Sequence, residues 1–185
     1  LMIARYGYSP AIAVWEFFNE VDHVMHDTTF GKAIPAAIIT DWHNEMATYL
    51  KRNDPYGHLV STSVSHRDIE GMNDITAIDF NQRHIYGNAF TIPQVLKQYA
   101  TQHHKPYVIG ECGYHWDWSL NFNQYVTEFE GDFRKTLWLG LFSPTPILPM
   151  SWWWEFFEDR GMMSYFNIVQ KINEEMLEAA TGASL

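Results

Sequence analysis

Short, continuous apolar runs alternate with helical patterns along this chain, and that alternation constrains the fold more than any other feature. The runs at residues 59–64 and 106–111 have the length and composition of buried strands. Between them, apolar residues recur at helical spacing, as in the segment that Pro35 opens and Asp54 ends. Buried strands that alternate with helices form a parallel sheet covered by helices. The sequence therefore predicts an α/β fold.

Five strands and four helices follow from this pattern. The predicted strands cover residues 12–20, 59–64, 106–111 and 147–154, and part of 75–86. The predicted helices cover residues 35–53, 91–103, 128–142 and 163–180. A closed eight-stranded barrel typically needs about 200–250 residues, so the pattern predicts either an open sheet or part of a barrel. The length of 185 residues predicts a single domain over residues 1–185.

The composition argues against several classes of function. The net charge is −10 and the lysines and arginines do not cluster, so we expect no nucleic-acid partner. No apolar run reaches about 18 residues, so we expect no membrane span. No glycine-rich phosphate loop follows a strand, which argues against nucleotide binding. Aromatic residues make up 16% of the chain, which fits a tryptophan-rich core and a cleft that stacks on sugar rings equally well.

We expect no metal and no cofactor. The neighbouring histidines, His23 with His26 and His103 with His104, have no carboxylate or third histidine at the spacing of a zinc site. The one cysteine, Cys112, follows a strand and fits a small buried residue.

Two glutamates close apolar runs and are the strongest candidates for chemistry. Glu20 ends the run that begins at Ile12, and Glu111 ends the run that begins at Tyr107. In a parallel (β/α) barrel, side chains at the carboxyl ends of strands line the active site. Two facing carboxylates there are the groups that hydrolyse glycosidic bonds. The alternative is that both are surface glutamates at strand ends.

Four polar segments follow one another at predicted strand ends. They are Trp15-Glu16-Phe17-Phe18-Asn19-Glu20, Asp79-Phe80-Asn81-Gln82-Arg83-His84-Ile85-Tyr86, Ile109-Gly110-Glu111-Cys112-Gly113 and Ser151-Trp152-Trp153-Trp154-Glu155. In this order they resemble the segments that close strands 4, 6, 7 and 8 in clan A glycoside hydrolases, family 5 and its relatives. The resemblance implies a partial (β/α)8 TIM barrel with about five parallel strands, strands 4 to 8, and outer helices.

The same resemblance implies a retaining mechanism with divided roles. Glu20 takes the place of the general acid/base, and Glu111 takes the place of the nucleophile. Asn19 would donate to the sugar 2-hydroxyl, or else cap a loop. His84 and Tyr86 are two residues apart and face one side of their strand; they would hold Glu20 and Glu111 respectively, or else form a hydrogen-bonded core pair.

Three tryptophans complete the implied substrate site. By strand parity Trp152 and Trp154 share a face, with Trp154 under the cleaved sugar and Trp152 deeper. Trp116 lies in the loop after Glu111 and would form a subsite. Trp153 points to the other face of the strand, and packing in the core is the alternative for Trp152, Trp153 and Trp154.

The implied partner is a β-linked oligo- or polysaccharide, cellulose-like or mannan-like, and the implied location is secreted or periplasmic in a bacterium. Three strands precede strand 4 in the family barrel and are not in this chain. We therefore expect either the remainder of a longer chain or a homo-oligomer to complete the barrel.

Two other functions compete with hydrolysis. The first is a half-barrel that binds glycans or self-associates without turnover. The second is another α/β enzyme, such as a deacetylase, which would need a Ser-His-Asp set or a metal set that the sequence does not show.

Overall fold

A computed structural model describes residues 1–26 and 31–182. The α-helices are α1 (Met2–Tyr6), α2 (Ala36–Asn53), α3 (Ile92–His103), α4 (Val126–Leu141), α5 (Trp154–Asp159) and α6 (Ser164–Thr181). The strands are β1 (Val14–Glu16), β2 (Leu59–Ser61), β3 (Ser63–Val64), β4 (Asn81–Tyr86) and β5 (Tyr107–Gly113). Short 3₁₀ helices cover Val21–Met25, Met72–Asp74 and Ala89–Thr91.

Two pairs of strands that follow each other in the chain are parallel, as the alternation of strands and helices predicts. β1 pairs with β2, with Val14 opposite Leu59, and β3 pairs with β4, with Ser63 opposite Gln82. β4 is also the middle strand of the order β3-β4-β5. Thr62 alone separates β2 from β3, so the strand predicted at residues 59–64 forms as two short pieces. The fold class is α/β with parallel strands.

The chain divides into two compact units, each with its own apolar core. Unit 1 comprises residues 1–84 and 98–110, and unit 2 comprises residues 85–97 and those from 111 onward. The core of unit 1 packs α2 residues Ile39 and Ala47 with Val60 of β2. The core of unit 2 packs Phe129 and Phe133 of α4 with other apolar residues of the unit. The single domain expected from length stays a prediction.

The strand predicted over residues 147–154 is wrong. Within it, Ser151 forms a single parallel bridge with Cys112, and Trp154 already begins α5. Pro149 explains the difference, because proline lacks the N–H that a strand interior donates. The first strand is also shorter than predicted, since β1 ends at Glu16 and Glu20 begins a 3₁₀ turn.

The four predicted helices form as α2, α3, α4 and α6, close to their predicted bounds. On α2 the buried residues are Ile39, His43, Ala47 and Leu50, and Ile38, Trp42 and Tyr49 are exposed. On α6 Val169 is buried and Met176 and Leu177 are exposed. None of the helices in the described ranges is long and apolar enough to cross a lipid bilayer.

Candidate active site

Glu20 in unit 1 has an unusual backbone conformation. Its φ of 52° and ψ of 49° lie in the left-handed region, which non-glycine residues rarely adopt. Such a conformation costs on the order of 1 kcal/mol or more and persists where neighbouring groups fix it. Here the Glu20 N–H donates a hydrogen bond to Ser63 Oγ at 2.9 Å, and the Phe18 carbonyl accepts one from the Ser63 N–H at 3.0 Å.

The Glu20 carboxylate lies between two imidazole rings. His84 Nδ1 is 2.8 Å from Oε1, and His23 Nε2 is 3.2 Å from Oε2. The His84 side chain is 3% exposed, the Glu20 side chain 25% and the His23 side chain 54%. One oxygen therefore faces a buried ring that β4 fixes, and the other faces an exposed ring of the 3₁₀ turn.

Glycine on the neighbouring strand makes room for the β4 side chains. A Cβ atom at Gly110 of β5 would clash with the Gln82 side-chain amide and lie 3.4 Å from His84 Nε2. Gln82 and His84 are two residues apart on β4, so their side chains share a face. A glycine in a strand interior marks this kind of close approach.

Glu111 lies in the part of β5 that belongs to unit 2. The residue is 8% exposed, and Tyr86 Oη donates a hydrogen bond to its Oε2 at 2.6 Å. The next residue, Cys112, points to the opposite face and donates from Sγ to the Met150 carbonyl at 3.2 Å. Burial raises the pKa of the Cys112 thiol, with the Asp132 carboxylate adding to the effect, so this thiol stays protonated at neutral pH.

The tryptophans do not follow the strand parity that the sequence predicts. Trp153 is the buried residue of the three, and its Nε1 donates to the His115 carbonyl at 2.6 Å. Trp154 is 53% exposed at the start of α5. Trp152 is partly buried and contacts the Trp118 ring edge-on at 6.1 Å between ring centroids. The prediction that Trp152 and Trp154 share a face of a strand is wrong, because these residues are not in a strand.

The other predicted substrate-binding residues are exposed. Asn19 lies at the bend just before Glu20. Trp116 stacks on His115 with 5.8 Å between ring centroids and an interplanar angle of 19°. Both side chains are accessible to a ligand within their own units.

The sequence does not predict that His23 and His103 each contact a carboxylate. Glu20 lies 3.2 Å from His23, and Asp74 lies 2.7 Å from His103 Nδ1. The Glu20–His23 spacing of three residues is that of one 3₁₀ turn. A prediction of that turn after Glu20 would have found the contact.

Comparisons with known proteins agree with this architecture. No protein-family model matches the chain. A stretch of 64 residues, 32% of this chain, is 39% identical to the probable mannan endo-1,4-β-mannosidase C of Aspergillus terreus. That match spans 16% of the relative's length.

Two solved structures share the fold over most of this chain. The endo-β-1,4-mannanase of Thermotoga petrophila has a TM-score of 0.52 at 20% identity, covering 80% of this chain and 36% of that one. A family 5 mannosidase of Rhizomucor miehei has a TM-score of 0.51 at 18% identity, covering 74% of this chain and 37% of that one. The chain therefore spans little more than a third of each of these two structures.

The parallel α/β fold of the chain is therefore that of part of these two structures. In sequence, part of the chain is similar to a mannan endo-1,4-β-mannosidase, and in fold most of the chain is similar to part of a family 5 mannosidase.

Proposed function

We propose that this chain is part of a retaining glycoside hydrolase that acts on β-linked glycans. The observation that carries the proposal is that each candidate glutamate is held by a different β4 side chain, Glu20 by His84 and Glu111 by Tyr86. His84 and Tyr86 are two residues apart in one strand, so their side chains share a face of β4. Retention requires the two carboxyl groups to be about 5–5.5 Å apart.

The two carboxyls have different roles in this mechanism. Glu20 gives a proton to the leaving glycosidic oxygen while Glu111 attacks the anomeric carbon and forms a glycosyl-enzyme. Glu20, now ionised, then removes a proton from a water molecule whose oxygen bonds to the anomeric carbon. The bond between that carbon and Glu111 breaks, which releases the sugar and regenerates the Glu111 carboxylate. The Tyr86 hydroxyl orients Glu111 through the 2.6 Å hydrogen bond, and His84 orients Glu20.

We further propose a mannan-like backbone as the substrate. Support comes from the printed name of the sequence relative, a mannan endo-1,4-β-mannosidase. Asn19 would bind the 2-hydroxyl, and the exposed rings of Trp116 and Trp154 would stack on sugar faces. The partly buried Trp152 would form the deeper wall.

The second candidate function is glycan binding or self-association without turnover. This candidate is favoured because the chain covers only 36% and 37% of the two solved structures. A part of a barrel can keep sugar-binding aromatics while it lacks groups that the reaction needs.

Alanine variants of the two glutamates test the proposed division of labour. The assay uses β-mannan oligosaccharides and an activated aryl β-mannoside, with this chain and with any longer protein that contains it. Glu111→Ala should abolish turnover on both substrates, because no nucleophile remains. Glu20→Ala should lose about 10²–10⁴-fold on oligosaccharides and keep the glycosylation step on the aryl glycoside, with azide restoring turnover.

Glu155→Ala, on the exposed start of α5, is the matched control and should behave as the wild type. Equal loss in both glutamate variants on every substrate, without azide rescue, would contradict the assigned roles. Glycan binding by a wild type that turns over no substrate would favour the second candidate.

A further inference from the structure

We infer that His23 is a positioning residue for Glu20, an inference that rests on the proposed function. Glu20 has an imidazole nitrogen at each carboxylate oxygen, His84 Nδ1 at 2.8 Å from Oε1 and His23 Nε2 at 3.2 Å from Oε2. A carboxylate held at one oxygen can still swing about that contact. With both oxygens held, the plane of the carboxylate and the direction of the free lone pairs are fixed.

The backbone around Glu20 explains how His23 reaches the carboxylate. Glu20 caps the 3₁₀ helix Val21–Met25, and its carbonyl accepts a hydrogen bond from the His23 N–H at 3.1 Å. Side chains three residues apart eclipse one another in a 3₁₀ helix. The left-handed conformation of Glu20 therefore starts a turn that returns the His23 ring to the Glu20 side chain.

A buried carboxylate anchors this turn. Asp22 is fully buried and accepts hydrogen bonds from the Ser65 N–H and Oγ, both at 2.6 Å. Asp22 also has Arg67 Nη1 at 3.7 Å. Hydrogen bonds from Ser65 and the charge of His23 outweigh the effect of burial, so the pKa of Asp22 is lowered. Asp22 therefore anchors the buried side of the turn, and His23 lies on its exposed side.

Stability does not account for the contact of His23 with Glu20. His23 is more than half exposed, and exposed pairs of this kind contribute about 0–1 kcal/mol. The ring of His66 packs edge-on against His23 at 6.4 Å between ring centroids, and its Nδ1 is 2.9 Å from Ser65 Oγ. His23 is therefore placed by the same polar cluster that anchors the turn, and its effect falls on the orientation of Glu20.

Kinetics of three variants test this role. His23→Leu, which removes the donor, should lower kcat on β-mannan oligosaccharides about tenfold while KM stays unchanged. His23→Gln, whose amide can donate from a similar position, should recover most of that loss. On the activated aryl β-mannoside, whose leaving group needs no proton, His23→Leu should keep the wild-type glycosylation rate. His26→Leu, in the same exposed segment, is the matched control and should match the wild type on both substrates.

A second measurement does not depend on turnover. Imidazole ¹H–¹⁵N long-range spectra of the chain should show a shift of the His23 Nε2 signal in Glu20→Ala, with the His26 signals unchanged. The inference would be overturned if His23→Leu had the kcat of the wild type, or if the His23 Nε2 signal did not shift in Glu20→Ala. If the wild type turns over no substrate while the His23 signal responds to Glu20→Ala, the proposed function fails and the contact of His23 with Glu20 stands.

Discussion

At the scale of single residues, the environment of Asp132 changes the titration of its carboxyl group. The residue lies on the inner side of α4 and is 9% exposed. Burial raises the pKa of Asp132 to about 6, and the positive charge of Lys135 opposes that rise. Because the pKa of Asp132 is higher in the folded protein than its ordinary value of 3.8, folding favours the protonated acid. The stability that this preference gives is complete below about pH 4 and is lost as the pH rises through about 6.

Asp132→Asn should therefore stabilise the protein in a pH-dependent way. Above pH 7 the free energy of unfolding should rise by about 1–2 kcal/mol, because an uncharged amide replaces a poorly solvated carboxylate. At pH 4 the variant and the wild type should agree. Urea unfolding at pH 4, 5.5 and 7.5 measures the difference, with the exposed Glu128→Gln on the same helix as the control. A difference that is constant over this pH range would contradict the assigned pKa.

Some residues of the candidate site can be predicted from the sequence, and others cannot for a physical reason. Glu20 and Glu111 are visible because each closes an apolar run, and acidic side chains are almost never fully buried unless they are paired. His23 was not singled out as a partner of Glu20, because its contact depends on a left-handed backbone angle that no residue type at position 20 requires. Asp132 was not singled out either, because a helix pattern does not show how deeply one of its polar positions is buried.

At the scale of elements, the helices were predictable and the last strand was not. α2 extends over Ala36–Asn53, as Pro35 and Asp54 predict, since proline suits a helix start and the Asp54-Pro55 pair ends one. The segment from 147 to 154 has strand-like composition, but Pro149 and the packing of the buried Trp153 decide its conformation. Local propensity does not report that tertiary contact.

Two glycines inside α4 give a matched test of helix packing. A Cβ atom at Gly131 would have no neighbour within 4 Å, whereas one at Gly140 would clash with Cδ of Pro149 and lie 2.9 Å from its Cγ. Gly131→Ala should raise the free energy of unfolding by about 0.5–1 kcal/mol through helix propensity alone. Gly140→Ala gains the same propensity, but overpacking should lower stability by about 1–3 kcal/mol.

Circular dichroism during urea unfolding measures both variants in the same helix. The comparison controls for composition, since each variant adds one methyl group to α4. A Gly140→Ala protein as stable as Gly131→Ala would show that the Pro149 segment moves freely away from the helix.

At the scale of the whole molecule, the order of parallel strands follows from the sequence and the division into two units does not. Continuous apolar runs separated by helices leave few alternatives to sequential parallel pairing. Two of the boundaries along the chain fall within strands, after His84 in β4 and after Gly110 in β5. No composition shift marks either position in the sequence.

Exposed apolar surface on α2 predicts self-association of the chain. Ile38, Trp42 and Tyr49 are exposed at positions that share one side of the helix. Beside them is an apolar cavity of about 240 Å³ whose lining includes Phe18, Val24 and Ile34. Apolar surface of this kind marks an interaction site in soluble proteins. β1 also has one partner strand in the described part of the chain, so it presents a sheet edge.

We therefore expect sedimentation velocity to show reversible association with a second copy of this chain as concentration rises. The double variant Ile38→Lys/Tyr49→Lys should weaken that association about tenfold or more, because it places charge where apolar side chains would be buried. Asn44→Lys adds the same charge to a different side of α2 and should leave association unchanged. A monomeric wild type at every concentration would exclude α2 as a self-association surface, and equal weakening by Asn44→Lys would point to net charge as the cause.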